Sequence, residues 1–402
     1  MGKRILRILA HAVSFAFCAV NLCAVPSYGY AEEENVSWRM SLCKGLDTLL
    51  TDELLTTSQL GLCVFDLTAD EPLYAFQARQ RMRPASTEKI VTAVTALSEL
   101  GSGCRFTTSL RNTGKVEGRV LWGDLYVVGG FDPWFGEEDM EYLCRAVKTL
   151  GIDSVAGGLY ADVSMKDTLQ WGWGWCWDDD MPLLTPLLYN KENRFMDVFC
   201  EALREWGVGY SFVGKACCPD ESVCLSERSR SLAEVLDPMM KKSDNLCAEA
   251  LFYKLASLTG KPYASRREAM YYIEGLIGRM GYDAGRYTVA DGSGVSLYNY
   301  LSAELETAFL RYAYRDEQIF IPLYQSLPVA GVDGTLRRRM QRGAACNNVR
   351  AKTGTLEGVS TLAGYARASN GRMLAFCIMN QGVENRAAAH HFQDKVCDLL
   401  CR

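Results

Sequence analysis

The chain has 402 residues, 49% of them hydrophobic, which is more than one small core requires and predicts a large folded body with a smaller one beside it. Acidic and basic residues are mixed throughout and sum to a formal charge of −5, so nothing in the electrostatics asks for nucleic acid or an anionic membrane as partner. With three histidines, His11 in an N-terminal apolar segment and the adjacent pair His390 and His391, the chain is poorly equipped for a serine-histidine-aspartate enzyme.

Lys3, Arg4 and Arg7, an apolar run from Ile8 to Val25 and the small residues of Gly29-Tyr30-Ala31 read as a secretory signal, residues 1–31. An uncleaved anchor is the alternative, and the run is near the lower length limit for spanning. The expected mature protein is periplasmic or otherwise extracytoplasmic, with no transmembrane anchor. Of 16 cysteines, Cys18 and Cys23 leave with the signal. Cys63, Cys247 and Cys377 lie in apolar runs as core thiols, whereas Cys217, Cys218 and Cys224 form the better disulfide candidate. His390, His391, Cys397 and Cys401 fit a closing amphipathic helix better than a zinc site, so no metal or cofactor is expected.

Gly61 to Phe65 and Leu73 to Phe76 read as a β-hairpin around Thr68-Ala69-Asp70. A polar loop with Pro84 then delivers Ser86 to a helix whose Ile90, Val91, Val94, Leu97 and Leu100 recur at helical spacing. From Phe106 to Gly130 the pattern turns β-rich, and helices at Glu137 to Leu150 and Phe195 to Trp206 flank a strand near Gly158-Leu159-Tyr160. Helical patterns return at Leu232 to Met240, Leu246 to Leu258, Arg266 to Met280 and Ala303 to Tyr314. Strands at Val359 to Ala366 and Met373 to Met379 and a helix from Arg386 to Leu400 close the chain. The two ends are expected to pair in one sheet covered by helices, with residues 105–221 inserted as a smaller domain into a discontinuous one, 32–104 and 222–402.

Three strings stand in order along this pattern: Ser86-Thr87-Glu88-Lys89, Ser243-Asp244-Asn245 and Lys352-Thr353-Gly354-Thr355. Together they are the parts of a serine acyl-transfer site with lysine as base. Ser86 and Lys89 share a helical face at i and i+3, and the serine hydroxyl becomes nucleophilic once a lysine of depressed pKa takes its proton. Burial and nearby cations depress it, and Lys352 is the obvious second cation. Ser243 is placed to bridge the lysines and pass a proton to the leaving nitrogen, and Asn245 to donate its amide to a substrate carbonyl. On an edge strand, Lys352 and Thr353 grip a terminal carboxylate and Gly354 lets a peptide backbone approach. The N–H of Thr355 joins that of Ser86 as an oxyanion hole. The bland reading of each string, as helix cap or turn, fails to explain all three at once. A second S-x-x-K, Ser41 to Lys44, lacks such support and reads as surface. Trp171, Trp173, Trp175 and Trp177 suit either a ligand platform or a packed loop.

With these residues the chain resembles the penicillin-binding protein 4 type of D-alanyl-D-alanine carboxypeptidase/endopeptidase, the class C low-molecular-mass penicillin-binding proteins. Pro84 to Lys89, Gly123 to Gly130 with Asp132-Pro133, Asp291 to Ser296, Leu327 to Leu336 and the Lys352 segment carry the likeness. It implies an α+β, β-lactamase/transpeptidase-like fold with one inserted α/β domain. It also implies acylation of Ser86 by the penultimate D-Ala of a peptidoglycan stem peptide, hydrolysis of the acyl-enzyme, and inhibition by β-lactam antibiotics. By the family's pattern Asp162 holds the amino group of the stem's diamino acid. Two departures stand out: the family's further nested domain is absent after Trp171 to Asp180, and Leu297 occupies a place where an arginine is often found. The rivals are a serine β-lactamase, which lacks its Glu-x-x-Leu-Asn loop here, and a catalytically weak peptidoglycan-binding protein.

Overall fold

A computed structural model describes residues 27–179, 181 and 183–402, with side chains from 36 onward. The apolar part of the predicted signal, 1–26, lies outside the described residues. The elements run α1 (Ser27–Leu49), β1 (Gln59–Asp66), β2 (Glu71–Phe76), α2 (Glu88–Leu100), β3 (Arg105–Asn112), β4 (Lys115–Glu117), β5 (Val120–Trp122) and β6 (Leu125–Val128). They continue with α3 (Glu137–Thr149), β7 (Ser154–Asp162), α4 (Phe195–Glu205), β8 (Gly209–Lys215), β9 (Val223–Ser231), α5 (Leu232–Lys241), α6 (Asn245–Ala256), α7 (Arg266–Arg279), α8 (Ala303–Tyr314) and α9 (Glu317–Ser326). The chain ends with β10 (Arg350–Leu356), β11 (Val359–Arg367), β12 (Met373–Gln381) and α10 (Arg386–Cys401). Leu42–Arg402 is one compact unit; the residues before it form another, described as helix from Ser27.

The first sheet has the order β10-β11-β12-β1-β2, all antiparallel. Its central pairing, β1 with β12, joins the two ends of the chain in register from Gln59 opposite Gln381 to Asp66 opposite Leu374. β11 and β12 are apolar and buried along almost their whole length, as strands covered on both faces must be. α2 lies in the helical layer and buries Ile90, Val91, Ala93, Val94, Ala96 and Leu97. Leu246, Leu251 and Phe252 of α6 and Leu305, Phe309 and Leu310 of α8 join the same core. β10 is left at the sheet's edge, its start bridged by Val329 opposite Arg350 and the rest of that side, among the described residues, unpaired by a further strand.

The second sheet runs β4-β5-β7-β6-β3-β9, with β8 also paired to β7. β7 is parallel to β5, β6 and β8, and α3 and α4 pack their Leu143, Val147, Phe199 and Leu203 into this sheet's own core. Its last strand, β9, reaches Ser231 and pairs with β3 along nearly its full length. Among the described residues no helix or strand intervenes between β7 and α4, and no helix is long and apolar enough to cross a membrane. Apart from Cys43, the described cysteines are free, and the expected disulfide among Cys217, Cys218 and Cys224 is not formed. The reason is directional: Cys217 Sγ faces the Tyr263 hydroxyl at 3.6 Å, and Cys218 Sγ faces Ser222 Oγ at 3.1 Å.

Candidate active site

Between the hairpin and α2 the chain makes one 3-10 turn, Ala85–Thr87, that sets Ser86 ahead of the helix. The turn holds Ala85 at φ 50°, a left-handed backbone that costs a residue with a Cβ about 1–3 kcal/mol and needs support from its surroundings. Thr361 Oγ1 of β11 donates to the Pro84 carbonyl at 2.7 Å. Two glycines let neighbouring backbone close on the turn. A Cβ on Gly294 would fall 1.9 Å from the Ala85 oxygen, and one on Gly354 would fall 2.1 Å from Thr361 Oγ1 and 2.9 Å from Ser86 N. Gly354 is thus required by the packing of β10 against the nucleophile turn, whatever it also offers a substrate.

Lys89 Nζ is fully buried and makes three bonds: to Ser86 Oγ at 2.9 Å, Asn245 Oδ1 at 2.8 Å and the Ser293 carbonyl at 2.6 Å. The last two partners are acceptors only. When Lys89 loses a proton, its two remaining N–H bonds stay with those acceptors and its lone pair faces the Ser86 hydroxyl. Burial brings the Lys89 ammonium down from its ordinary 10.5 to about 8, against the pull of Asp291, Glu249 and Asp244, which favour the charge. The sequence reading named burial and a nearby cation, Lys352, and burial is the largest cause.

Ser243, just before α6, is also left-handed at φ 61°. This aims its hydroxyl at Lys352, whose Nζ donates to Ser243 Oγ at 2.9 Å and to the Thr353 carbonyl at 2.7 Å. Lys352 is held well below its ordinary value by burial and secondly by the charge on Lys89. Asp244 caps α6 through the Cys247 N–H at 3.0 Å and pairs with Lys191 at 2.5 Å. So arranged, the Ser86 hydroxyl has the Lys89 amine as its partner and the Ser243 hydroxyl has that of Lys352.

A model of the D-Ala-D-Ala carboxypeptidase 3 (S13) family matches residues 42–187 and 188–400. The chain belongs to this family. D-alanyl-D-alanine carboxypeptidase DacB of Haemophilus influenzae is 25% identical to it over 81% of this chain and 86% of its own length. Carboxypeptidase DacB of Mycolicibacterium smegmatis is 28% identical over 86% of this chain and 82% of its own. The crystal structure of penicillin binding protein 4 from H. influenzae has the same fold, with a TM-score of 0.80 at 23% identity, covering 87% of this chain and 98% of that one.

In this family member the three strings meet, with two differences from the expected wiring. Ser243 bonds to Lys352 alone, and Asn245 rather than Ser243 bridges to Lys89. The Asn245 amide points to Met181 Sδ at 3.2 Å. Thr353 Oγ1 is 2.8 Å from Thr335 Oγ1, a hydroxyl that the pattern of three strings did not include. Asp162 stands at the end of β7 in the second sheet, where its oxygens accept the N–H groups of Ser164 at 2.8 Å and Cys218 at 2.7 Å. Trp175 is a packed side chain, its Nε1 2.7 Å from Asp291 Oδ2. Trp173 lies against Tyr298, and Trp177 is 91% exposed. Asp291 was read only through the resemblance, yet it organises the loop behind Lys89, accepting the N–H of Gly294 and of Ser296 and the amide of Asn299.

Proposed function

We propose that the chain is a serine D-Ala-D-Ala carboxypeptidase, with DD-endopeptidase action through the same intermediate, acting on peptidoglycan stem peptides. The observation that carries this is the bonding of Lys89, which leaves its lone pair for Ser86. In the proposed reaction Lys89 takes the Ser86 proton as Oγ attacks the penultimate D-Ala carbonyl, and the N–H groups of Ser86 and Thr355 hold the oxyanion. Ser243 gives a proton to the departing amine and recovers one from Lys352, and the proton taken by Lys89 replaces that one by way of solvent, so that Lys89 is neutral again before the ester is attacked. The free carboxylate of terminal D-Ala lies beside Thr353 and Lys352, with the peptide along the open edge of β10 past Gly354. Water then attacks the ester with Lys89 as base, and Ser86 regains its proton. A β-lactam acylates the same serine.

The chemistry of the substrate puts this work outside the cytoplasm, in keeping with the signal read at 1–31. The division proposed is an inserted domain bearing the second sheet and a catalytic domain bearing the first. The part proposed for Asp162, holding the stem's amino group, calls on carboxylate lone pairs beyond the two given to backbone amides. An Asp162→Asn variant assayed on stem peptides with and without that amino group tests it.

The main test is incubation of the protein with a disaccharide-pentapeptide and with a cross-linked dimer, beside Ser86→Ala, followed by mass spectrometry. Loss of one alanine or cleavage of the dimer, absent in Ser86→Ala, is expected. Penicillin labelling of Ser86 with no turnover of either substrate would replace the peptidase by a binding protein.

A further inference from the structure

Glu306 of α8 is fully buried beneath the nucleophile turn, and the chemistry proposed above does not use it. One of its oxygens is 2.8 Å from Thr87 Oγ1 and the other 3.3 Å from Cys377 Sγ. Thr87 Oγ1 lies equally close, 2.7 Å, to the Pro84 carbonyl, which also receives the Thr361 hydroxyl. A hydroxyl has a single proton, so Thr87, whose Oγ1 also lies 3.3 Å from Thr361 Oγ1, serves one of Glu306 and Pro84 at a time. With Glu306 ionised, the Thr87 proton goes to the carboxylate and Pro84 keeps the Thr361 hydroxyl and, at 3.4 Å, the Thr87 N–H. With Glu306 neutral, its own O–H donates to Thr87 Oγ1, the Thr87 proton turns to Pro84, and that carbonyl gains a second hydroxyl donor. The Pro84 carbonyl is where the turn begins that puts Ala85 in a left-handed backbone and Ser86 against Lys89.

Burial favours the neutral acid and raises the Glu306 carboxyl to about 7, against hydrogen bonds from Thr87 of the turn and Cys377 of β12, which favour the charged form. Glu88 of α2 faces it with both oxygens buried and, among the described residues, without a hydrogen-bond partner. None of these groups brings a positive charge.

We propose that Glu306 is a positioning residue for acylation: as a neutral acid it donates to Thr87, committing the Thr87 hydroxyl to the Pro84 carbonyl and fixing the turn that carries Ser86. The proposal rests on Ser86 as the nucleophile.

The experiment is the rate of labelling by a fluorescent penicillin from about pH 6 to about pH 9, with melting followed by circular dichroism for every variant. Glu306→Gln places an amide N–H donor where the acid has its O–H. It should label within about threefold of wild type at the low end and about tenfold faster at the high end, where wild type has lost its donor. Thr87→Val, which has no hydroxyl, should lose about tenfold or more at the low end, and Thr87→Ser should restore the rate. A Glu306→Gln to wild-type ratio that stays flat with pH overturns the proposal, as does wild-type labelling in Thr87→Val. Melting temperatures distinguish a misplaced turn from an unfolded protein, and if Thr87→Val does not fold, the pH dependence of the Glu306→Gln ratio decides alone. Labelling that survives in Ser86→Ala would instead remove the nucleophile assignment and leave the hydrogen bonds of the turn as they are.

Discussion

Gly354→Ala puts a methyl group into the tightest contact of the site. Its carbon would stand 2.1 Å from Thr361 Oγ1, 2.7 Å from the Pro84 oxygen and 2.9 Å from Ser86 N. Ordinary contacts of a carbon atom lie at about 3.5 Å, so β10 and the nucleophile turn must separate by roughly 1 Å. Two of the three atoms are backbone and have no rotamer to escape through. Overpacking of this kind costs about 1–3 kcal/mol of stability, and a misplacement of about 1 Å at a reacting group costs on the order of 10²-fold in rate. The expected result is a loss of about 100-fold in the second-order rate of penicillin acylation with a melting temperature lowered by a few degrees. Gly278→Ala is the control, a helical position where an added Cβ meets nothing within 4 Å. If Gly354→Ala acylates within about threefold of that control, the argument that β10 must touch the turn is wrong.

The base should show itself in the pH dependence. In Glu306→Gln, where that carboxyl no longer titrates, the acylation rate should rise about tenfold per pH unit and level above the Lys89 value of about 8, because the neutral lysine is the active form; a flat profile would exclude Lys89. Glu249 of α6 is fully buried and raised by burial to about 8, so the folded state binds its proton more tightly than the unfolded chain does. Its contribution to stability is complete below the ordinary value of 4.5 and is lost as pH rises through about 8. Urea denaturation across that window should show wild type weakening with pH and Glu249→Gln weakening less. Trp175→Phe removes the indole donor to Asp291 and should cost about 1.5–3 kcal/mol by urea denaturation; an unchanged midpoint would mean that a water replaces the indole.

Much of the site was legible because its chemistry sits on strongly patterned elements. The spacing of Ile90, Val91, Val94 and Leu97 gave α2, and the apolar runs at Val359 and Met373 gave the two strands that leave Lys352 to Thr355 on an edge. What stayed hidden follows from the same logic. β9 carries Ser226, Glu227, Arg228, Ser229 and Arg230, no alternation marks it, and as an edge strand it is largely open to solvent, so its pairing was invisible. Glu249 and Glu306 occupy buried positions of their helices, Glu249 between Ala248 and Ala250 and Glu306 between Leu305 and Thr307. An acid at a core position is the one sequence signal that pointed to them. The partner of the Asn245 amide, Met181, is a contact across 64 positions with no local pattern.

Two of the left-handed residues without glycine's freedom, Ala85 and Ser243, bring the strings together. Each bends the chain at the step where a polar side chain must leave the core and enter the site. Neither conformation is favoured by its residue type, so both are maintained by what surrounds them. For Ala85 that is the Thr361 hydroxyl on the Pro84 carbonyl and the glycine surfaces of Gly294 and Gly354. For Ser243 it is the bond to Lys352 and the capped, ion-paired Asp244 that begins α6. The desolvated lysines work the same way. Burial alone would expel both, yet each is tied to neutral oxygens that accept its N–H bonds whether it is charged or not. A base held by neutral acceptors gives up its proton without losing its place, so in the reaction proposed above the same side chain would serve the attack on the substrate and the later attack of water.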